Sequence, residues 1–248
     1  LKGKDLIPVE LPGADPPVCS DRFSRGHRLH GDQPVPIDSA EDYSNALTSA
    51  GVIVERKERA ELIRSQLKAS ADQLNGAPDC PESLFEELVD LVESPRLLQG
   101  AIADRFLALP PEVIITVMQA HQRYVPLKVP EVTPDPLQLA ATGVLQREFL
   151  LVGNGLEQAD ALITRGNERV LAARLADAEF FLAVDRRQPS SSRRDALERV
   201  TFAEGLGSLL DRCRRIERIA NQLVNQLSLD PSQGEAAIRA AHFCKHDL

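Results

Sequence analysis

Within SDRFSRGHRLHG (20–31), Arg22, Arg25, His27, Arg28 and His30 surround Gly26 in a stretch flanked by prolines. Arginine's planar fork matches phosphate oxygens, and a glycine lets backbone amides approach them, so the stretch reads either as a local anion or RNA patch or as a structural loop. A second donor-rich cluster, His121, Gln122 and Arg123, lies in HQRYVPL beside Tyr124, whose ring offers a face for a base. With two tyrosines and no tryptophan in the chain, broad stacking platforms are not expected. In TRGNERVLAARLADAEFFLAVDRR (164–187), Arg165 and Arg169 are one helical turn apart and Arg174, Arg186 and Arg187 continue the basic character. Glu168, Asp177, Glu179 and Asp185 could neutralise them in helix-surface pairs, so a salt-bridged solvent face and an anion-recognising face both remain open.

The chain contains no nucleotide-binding glycine loop, HExxH or GxSxG motif, which argues against a self-contained ATPase, metalloprotease or esterase. His242 and the His246-Asp247 pair sit at i, i+4 and i+5, and the doublet resembles that of the metal-dependent phosphohydrolases named after it. Such a site also needs a histidine far upstream and an aspartate far downstream, so no working metal site is expected. Four scattered cysteines, Cys19, Cys80, Cys213 and Cys244, include no C-x-x-C pair and suggest reduced structural thiols.

The 248 residues are 43% hydrophobic, enough to bury the core of one large domain or two smaller ones. A net charge of -8 argues against indiscriminate coating of nucleic acid, so an anionic partner must be met by a local patch. No run approaches the roughly 20 apolar residues of a membrane span, and LKGKDLIPVE lacks the apolar core of a signal peptide. The expectation is a soluble, cytoplasmic protein. Leu1 in place of methionine and a helical pattern still running in AHFCKHDL lead us to expect an excised fragment.

The elements that must position these residues follow from periodicity. Residues 1 to about 38 read as short extended pieces broken by prolines, with alternation in DLIPVEL. Ser39 and Asp42 suggest a capped short helix ended by Gly51, and VIVE (52–55) a strand. Ala60, Ile63, Leu67, Ala71 and Leu74 predict a helix stopping at Asn75-Gly76. Pro81 opens another, with Leu84, Leu88, Leu91 and Val92 as its core stripe and Glu82, Glu86, Glu87, Asp90 and Glu93 facing water. A helix from Pro110-Pro111 carries Val113, Val117 and Met118 into extended HQRYVPLKV, a loop covers Pro130 to Pro136, and EFLLVGNG is a buried strand. From about residue 157 the pattern is helical almost to the end, with Leu171, Leu175, Ala178 and Leu182 as one stripe. The expected organisation is α+β: a mixed α/β domain over 1–190, then a helical segment over 191–248, hinged at QPSSS.

Five blocks, SDRFSRGHR (20–28), FLALPPEVIITVMQAHQRYVPL (106–127), GNERVLAARLADAEFFLAVD (166–185), FAEGLGSLLDRCRRI (202–216) and KHDL (245–248), resemble in order the β subunit of the bacterial glycyl-tRNA synthetase with separate α and β chains. The resemblance implies an intact heterotetramer that joins glycine to its tRNA using ATP, with ATP and Mg at the class II site of the α subunit and the β subunit concerned mainly with tRNA. No catalytic residue, metal or cofactor is then expected here; the α subunit and tRNA(Gly) are the expected partners, without DNA or membrane. It also implies that the mixed part is related to the editing-type domain of the larger phenylalanyl-tRNA synthetase subunit, that the C-terminal helices begin an HD-like domain used as RNA-binding scaffold, and that the anticodon-binding region lies further downstream. Editing itself is not implied, because a glycine pocket excludes larger amino acids sterically. Val125 stands where the family usually has phenylalanine, and His246 where many members have a small residue. Within the resemblance, Arg22, Arg25, His27, Arg28, His121, Gln122, Arg123, Arg165, Asn167, Arg169 and Arg174 are the candidate tRNA contacts, and the Gly166-Asn167 turn could present amides to phosphate.

Overall fold

The computed structural model describes all residues except Ala14, Asp15, His30, Asp32, Thr133, Pro134, Pro136, Leu137, Asp247 and Leu248, and except the Ser190 side chain. His30, Asp247 and part of the expected 130–136 loop therefore lie outside the described residues. The chain forms two compact units, Leu1–Ala178 and Glu179–Leu248.

In the first unit the proline-rich start makes two antiparallel ribbons, β1 (Glu10–Leu11) with β2 (Val18–Cys19) and β3 (Phe23–Arg25) with β4 (Pro34–Pro36). Ser39 and Asp42 bond to each other ahead of α1 (Tyr43–Ser49), at 2.6 Å between Ser39 Oγ and Asp42 Oδ2. VIVE does not pair as a strand. The Ile53 amide bonds Glu93 O at 2.9 Å, and Arg59 takes the carbonyls of Ile53 and Val54, so side chain and loop satisfy a backbone that no neighbouring strand reaches.

α2 (Arg56–Leu74) buries Ala60, Ile63, Leu67 and Ala71 as the spacing predicts, and ends on Asn75 in the left-handed region, φ 48°. After β5 (Ala77–Pro78) comes α3 (Glu82–Leu91), whose buried stripe is Leu84, Phe85, Leu88 and Val89. Leu91, expected in that stripe, is exposed because the face turned to α2 runs through Phe85 and Val89 instead. The acidic outer face is partly paired, with Arg56 to Glu86 and Asp90, Arg64 to Glu82 and Arg123 to Glu87.

β6 (Arg96–Ala101) is followed by a short 3-10 helix, then α4 (Pro111–Thr116) and a π-helical turn over Val117–Gln122 that leads to β7 (Val125–Lys128). With β8 (Leu145–Gly153), these complete a four-stranded antiparallel sheet in the order β5-β7-β8-β6. α2 and α3 pack on it through Ile63, Leu88, Val89, Val125, Leu127 and Leu150, all nearly inaccessible to solvent. α5 (Asp160–Asp185) then runs without a break through Gly166-Asn167. The expected turn there is absent: both residues are helical, and the space beside Gly166 is open, so nothing opposes continuation of the helix.

The second unit has a 3-10 run over Ser190–Arg199, then a hairpin, β9 (Thr201–Ala203) with β10 (Gly207–Ser208), which the helical expectation did not include. Gly205 and Gly207, at φ 74° and 82°, supply the left-handed backbone that reverses the chain. Ser208 and Asp211 form a complete capping box at the start of α6 (Leu209–Gln226), and Asp230 caps α7 (Pro231–Phe243) through the amides of Ser232 and Gln233. Leu197, Leu210 and Cys213 form the core of this unit.

Candidate functional site

α5 is fixed to the sheet by a chain of contacts that begins at a glycine. Gly100 on β6 faces Phe149 on β8, and a Cβ at Gly100 would come within 2.5 Å of the Phe149 ring. That ring stacks on Tyr124 at 5.0 Å between centroids, and the Tyr124 hydroxyl donates to Asn167 Oδ1 at 2.6 Å. Asn167 Nδ2 donates in turn to Ile163 O at 2.7 Å. Burial pushes the Tyr124 hydroxyl's pKa up, which keeps it a neutral donor. Elsewhere along α5, Arg96 pairs with Asp160, a contact that raises the guanidinium's pKa further. β6 is an edge strand, and two of its outward amides are covered by side chains: Leu97 N donates to Gln66 Oε1 at 2.8 Å and Ala101 N to Glu168 Oε1 at 2.9 Å.

Held this way, α5 borders a groove of about 380 Å³, floored by Ile102, Phe106 and Leu175 and rimmed by Arg147, Arg165 and Arg169. Among the described residues Arg165 donates only to Ala161 O, within its own helix, at 3.2 Å. Arg169 and Arg174 are exposed and make no ion pair or hydrogen bond among the described residues. Of the two open readings, the helix-surface pairs do not form among the described residues. Glu168 is taken by the β6 amide and Asp185 pairs with Arg193 at 3.3 Å, so neither is turned to these arginines. Arg147 has a partner in Asp104 at 3.5 Å, both side chains well exposed. A groove with an apolar floor and three guanidinium groups on its rim, set against one lining carboxylate, Glu168, suits an anion carried on a larger body.

The 121–124 cluster is only partly available. His121 is exposed and Gln122 half-buried at the end of the π-helical turn. Arg123, in the left-handed region at φ 57°, donates through Nε to Glu87 at 2.7 Å. Tyr124 is 4% exposed and already stacked, so it offers no face to a base, contrary to expectation; its role is to dock α5 through Asn167.

The 20–31 stretch divides in the same way. Arg22 reaches the carbonyls of Lys4 and Asp38 and ties the ribbon to its surroundings. His27 is 1% exposed, its amide bound to Ala50 O at 2.9 Å and its Nδ1 accepting from Leu29 N at 3.3 Å. Gly26 serves packing rather than open amides, since a Cβ there would sit 2.7 Å from Ala50 Cβ. Arg25 and Arg28 are exposed, without an ion pair among the described residues, and line a recess of about 610 Å³.

The reading of types and spacing missed Arg147 and Phe23. Arg147 precedes the strand EFLLVG and meets α5 only through long-range packing, which has no local signal. Phe23 alternates with Arg25 across Ser24 in a proline-flanked strand, a pattern that places both on one face. In the second unit, His242 Nδ1 lies 3.0 Å from Glu217 Oε1 and His246 Nδ1 contacts Phe243 O. Among the described residues no three His, Cys, Asp or Glu side chains converge as metal ligands, and no helix is long and apolar enough to cross a membrane.

Comparison with known proteins finds similarity first to aminoacyl-tRNA ligases. It belongs to the glycyl-tRNA synthetase beta subunit family, whose pattern it matches over residues 1–248. The glycine–tRNA ligase beta subunits of Trichodesmium erythraeum and Bacillus subtilis are each 36% identical to it over 248 residues, covering all of this chain and 34% of theirs. That of Gloeothece citriformis is 38% identical over 248 residues, with the same coverage. The chain thus spans about a third of the length of the curated relatives it matches.

Proposed function

We propose that this chain is part of the β subunit of a cytoplasmic glycine–tRNA ligase and helps to bind and position tRNA(Gly), while glycylation with ATP and Mg takes place at the α subunit. The observation that carries this is the pair of exposed arginines one turn apart on α5, Arg165 and Arg169, which make no ion pair among the described residues in a chain of net charge -8; Arg174 is exposed on another side of the helix. Such a pair contacts phosphate and sugar more readily than bases, which suits positioning. Arg25 and Arg28 add a second basic surface; His121, Gln122 and Arg123 lie at the margin of the α5 contact. On the same reading the first unit is related to an editing-type domain and the α6–α7 pair begins an HD-like one.

The test is fluorescence anisotropy of glycine tRNA with the intact α–β ligase across a salt series. Arg165→Ala/Arg169→Ala is expected to weaken binding and lower the slope of log affinity against log salt by about one per lost phosphate contact, with ATP–pyrophosphate exchange unchanged. Unchanged tRNA affinity would return these arginines to a plain solvent face.

A second reading, docking of the α subunit, is favoured by one observation. Ile219 and Leu223 on α6, with Leu227 just past its end, form an exposed apolar stripe at i, i+4, i+8. It predicts that Ile219→Glu/Leu223→Glu loses co-purifying α subunit and keeps tRNA affinity.

A further inference from the structure

The β3–β4 ribbon turns two chemically different faces outward and inward. Register pairs Phe23 with Pro36, Ser24 with Val35 and Arg25 with Pro34. Phe23, Arg25, Pro34 and Pro36 are exposed, whereas Ser24 and Val35 are half-buried, so the outer face consists of one aromatic ring, one guanidinium and two prolines. Phe23 is 58% exposed and, with Phe180 and Phe181, one of three among the eight phenylalanines that leave most of their surface open to solvent. Strand geometry sets the Phe23 and Arg25 side chains about 7 Å apart on that face.

Two recesses meet at Phe23. One, of about 610 Å³, is lined by Arg25, Gly26, Arg28 and Gln33; the other, of about 360 Å³, by Ile37, Ala40 and the exposed ring of Tyr43. Asp21, the carboxylate found in both linings, accepts from the Arg22 amide at 2.6 Å. Neither Arg25 nor Arg28 has an ion pair among the described residues. Pro34 and Pro36 lack the amides that an added protein strand would need, which disfavours docking by strand addition.

We infer that Phe23 is a stacking platform for an unpaired base of a single-stranded RNA segment whose flanking phosphates are held by Arg25 and Arg28. A base needs a free π-face, its phosphates need cations within one nucleotide's reach, and this ribbon supplies both on one side. Gln33 adds an amide that can donate to and accept from a base edge. The inference deepens the RNA-binding reading above and rests on it, but uses residues independent of the α5 groove.

The test uses the full-length β subunit assembled with its α partner, a short single-stranded RNA containing 2-aminopurine, and a glycine tRNA transcript. The wild-type complex is expected to quench 2-aminopurine on binding. Phe23→Ala should abolish the quench and weaken oligonucleotide binding about five- to a hundredfold without changing the salt slope, because stacking releases no counterions. Phe23→Trp should restore both, which excludes misfolding as the cause. Arg25→Ala/Arg28→Ala should instead flatten the slope, by about 0.7 per phosphate on a single strand. If Phe23→Ala leaves affinity and quench untouched while Arg165→Ala/Arg169→Ala still weakens tRNA binding, the platform is wrong and the RNA-binding reading stands. If the wild-type complex binds neither RNA, both fall. Loss of co-purifying α partner in Phe23→Ala, with RNA affinity intact, would overturn the platform by making this face a protein interface.

Discussion

Arg169 and Arg123 show how far a side chain's neighbours decide its use. Arg169 follows Glu168 directly and Arg123 has no acid near it in sequence, yet Arg123 is held by Glu87 and Arg169 has no partner among the described residues. The cysteines differ in the same way. Burial, with Glu82 and Asp79 nearby, pushes the Cys80 thiol up to about 11, whereas Cys19 is exposed. A raised thiol pKa means little thiolate below it, so Cys80 should alkylate slowly at pH 8 and faster toward pH 10–11, while Cys19 reacts readily at pH 8. Mass spectrometry after timed iodoacetamide exposure reads this site by site; equal rates at pH 8 would contradict it. The arginine-rich stretches were legible as types, but which arginines were already occupied was not. Arg22 binds carbonyls 18 and 16 residues away, and Glu168 binds a strand 67 residues earlier. Local spacing carries no trace of such partners.

At the scale of elements, caps and apolar periodicity carried most of the information. Hydrogen bonds from the backbone amide and hydroxyl of Ser208 hold the Asp211 carboxyl below the usual carboxylate range, with Arg214 helping. A depressed folded-state pKa stabilises above the unfolded value, near 4, and that contribution is lost as pH falls through the folded value. Ser208→Ala is therefore expected to cost about 1 kcal/mol at pH 7 in urea unfolding, and clearly less once pH has fallen below the folded value, where Asp211 is protonated in both forms. α2 was readable because its stripe, charged face and Asn75 stop agree. Gly166-Asn167 misled because that pair signals a turn in isolation, whereas here Asn167 reaches Tyr124 and the helix continues. The β9–β10 hairpin was missed although Glu204-Gly205-Leu206-Gly207 has turn chemistry; the strong amphipathic pattern of α6 beside it absorbed the window.

At the scale of the molecule, the excess of acids hides where positive charge gathers. The mixed α/β character was legible, and so was the need for local basic patches; the groove was not, because it arises where β6, β8 and α5 meet. Its field depends on Glu168, the acid nearest the rim arginines in sequence. Glu168→Gln keeps a carbonyl oxygen for the Ala101 amide and removes one negative charge, so tRNA affinity of the intact ligase should rise severalfold at low salt with the melting temperature nearly unchanged. Anisotropy and thermal melts check both halves; unchanged affinity would show that RNA does not approach this rim. The same contact carries an obligation of another kind. Because Gln66 and Glu168 close the free border of β6, any version of the protein lacking α5, such as one emerging from the ribosome or shortened by a protease, exposes a template for sheet growth. The acid that shapes the charge of this surface is thus also a guard against self-association, and changes to it are constrained from both sides.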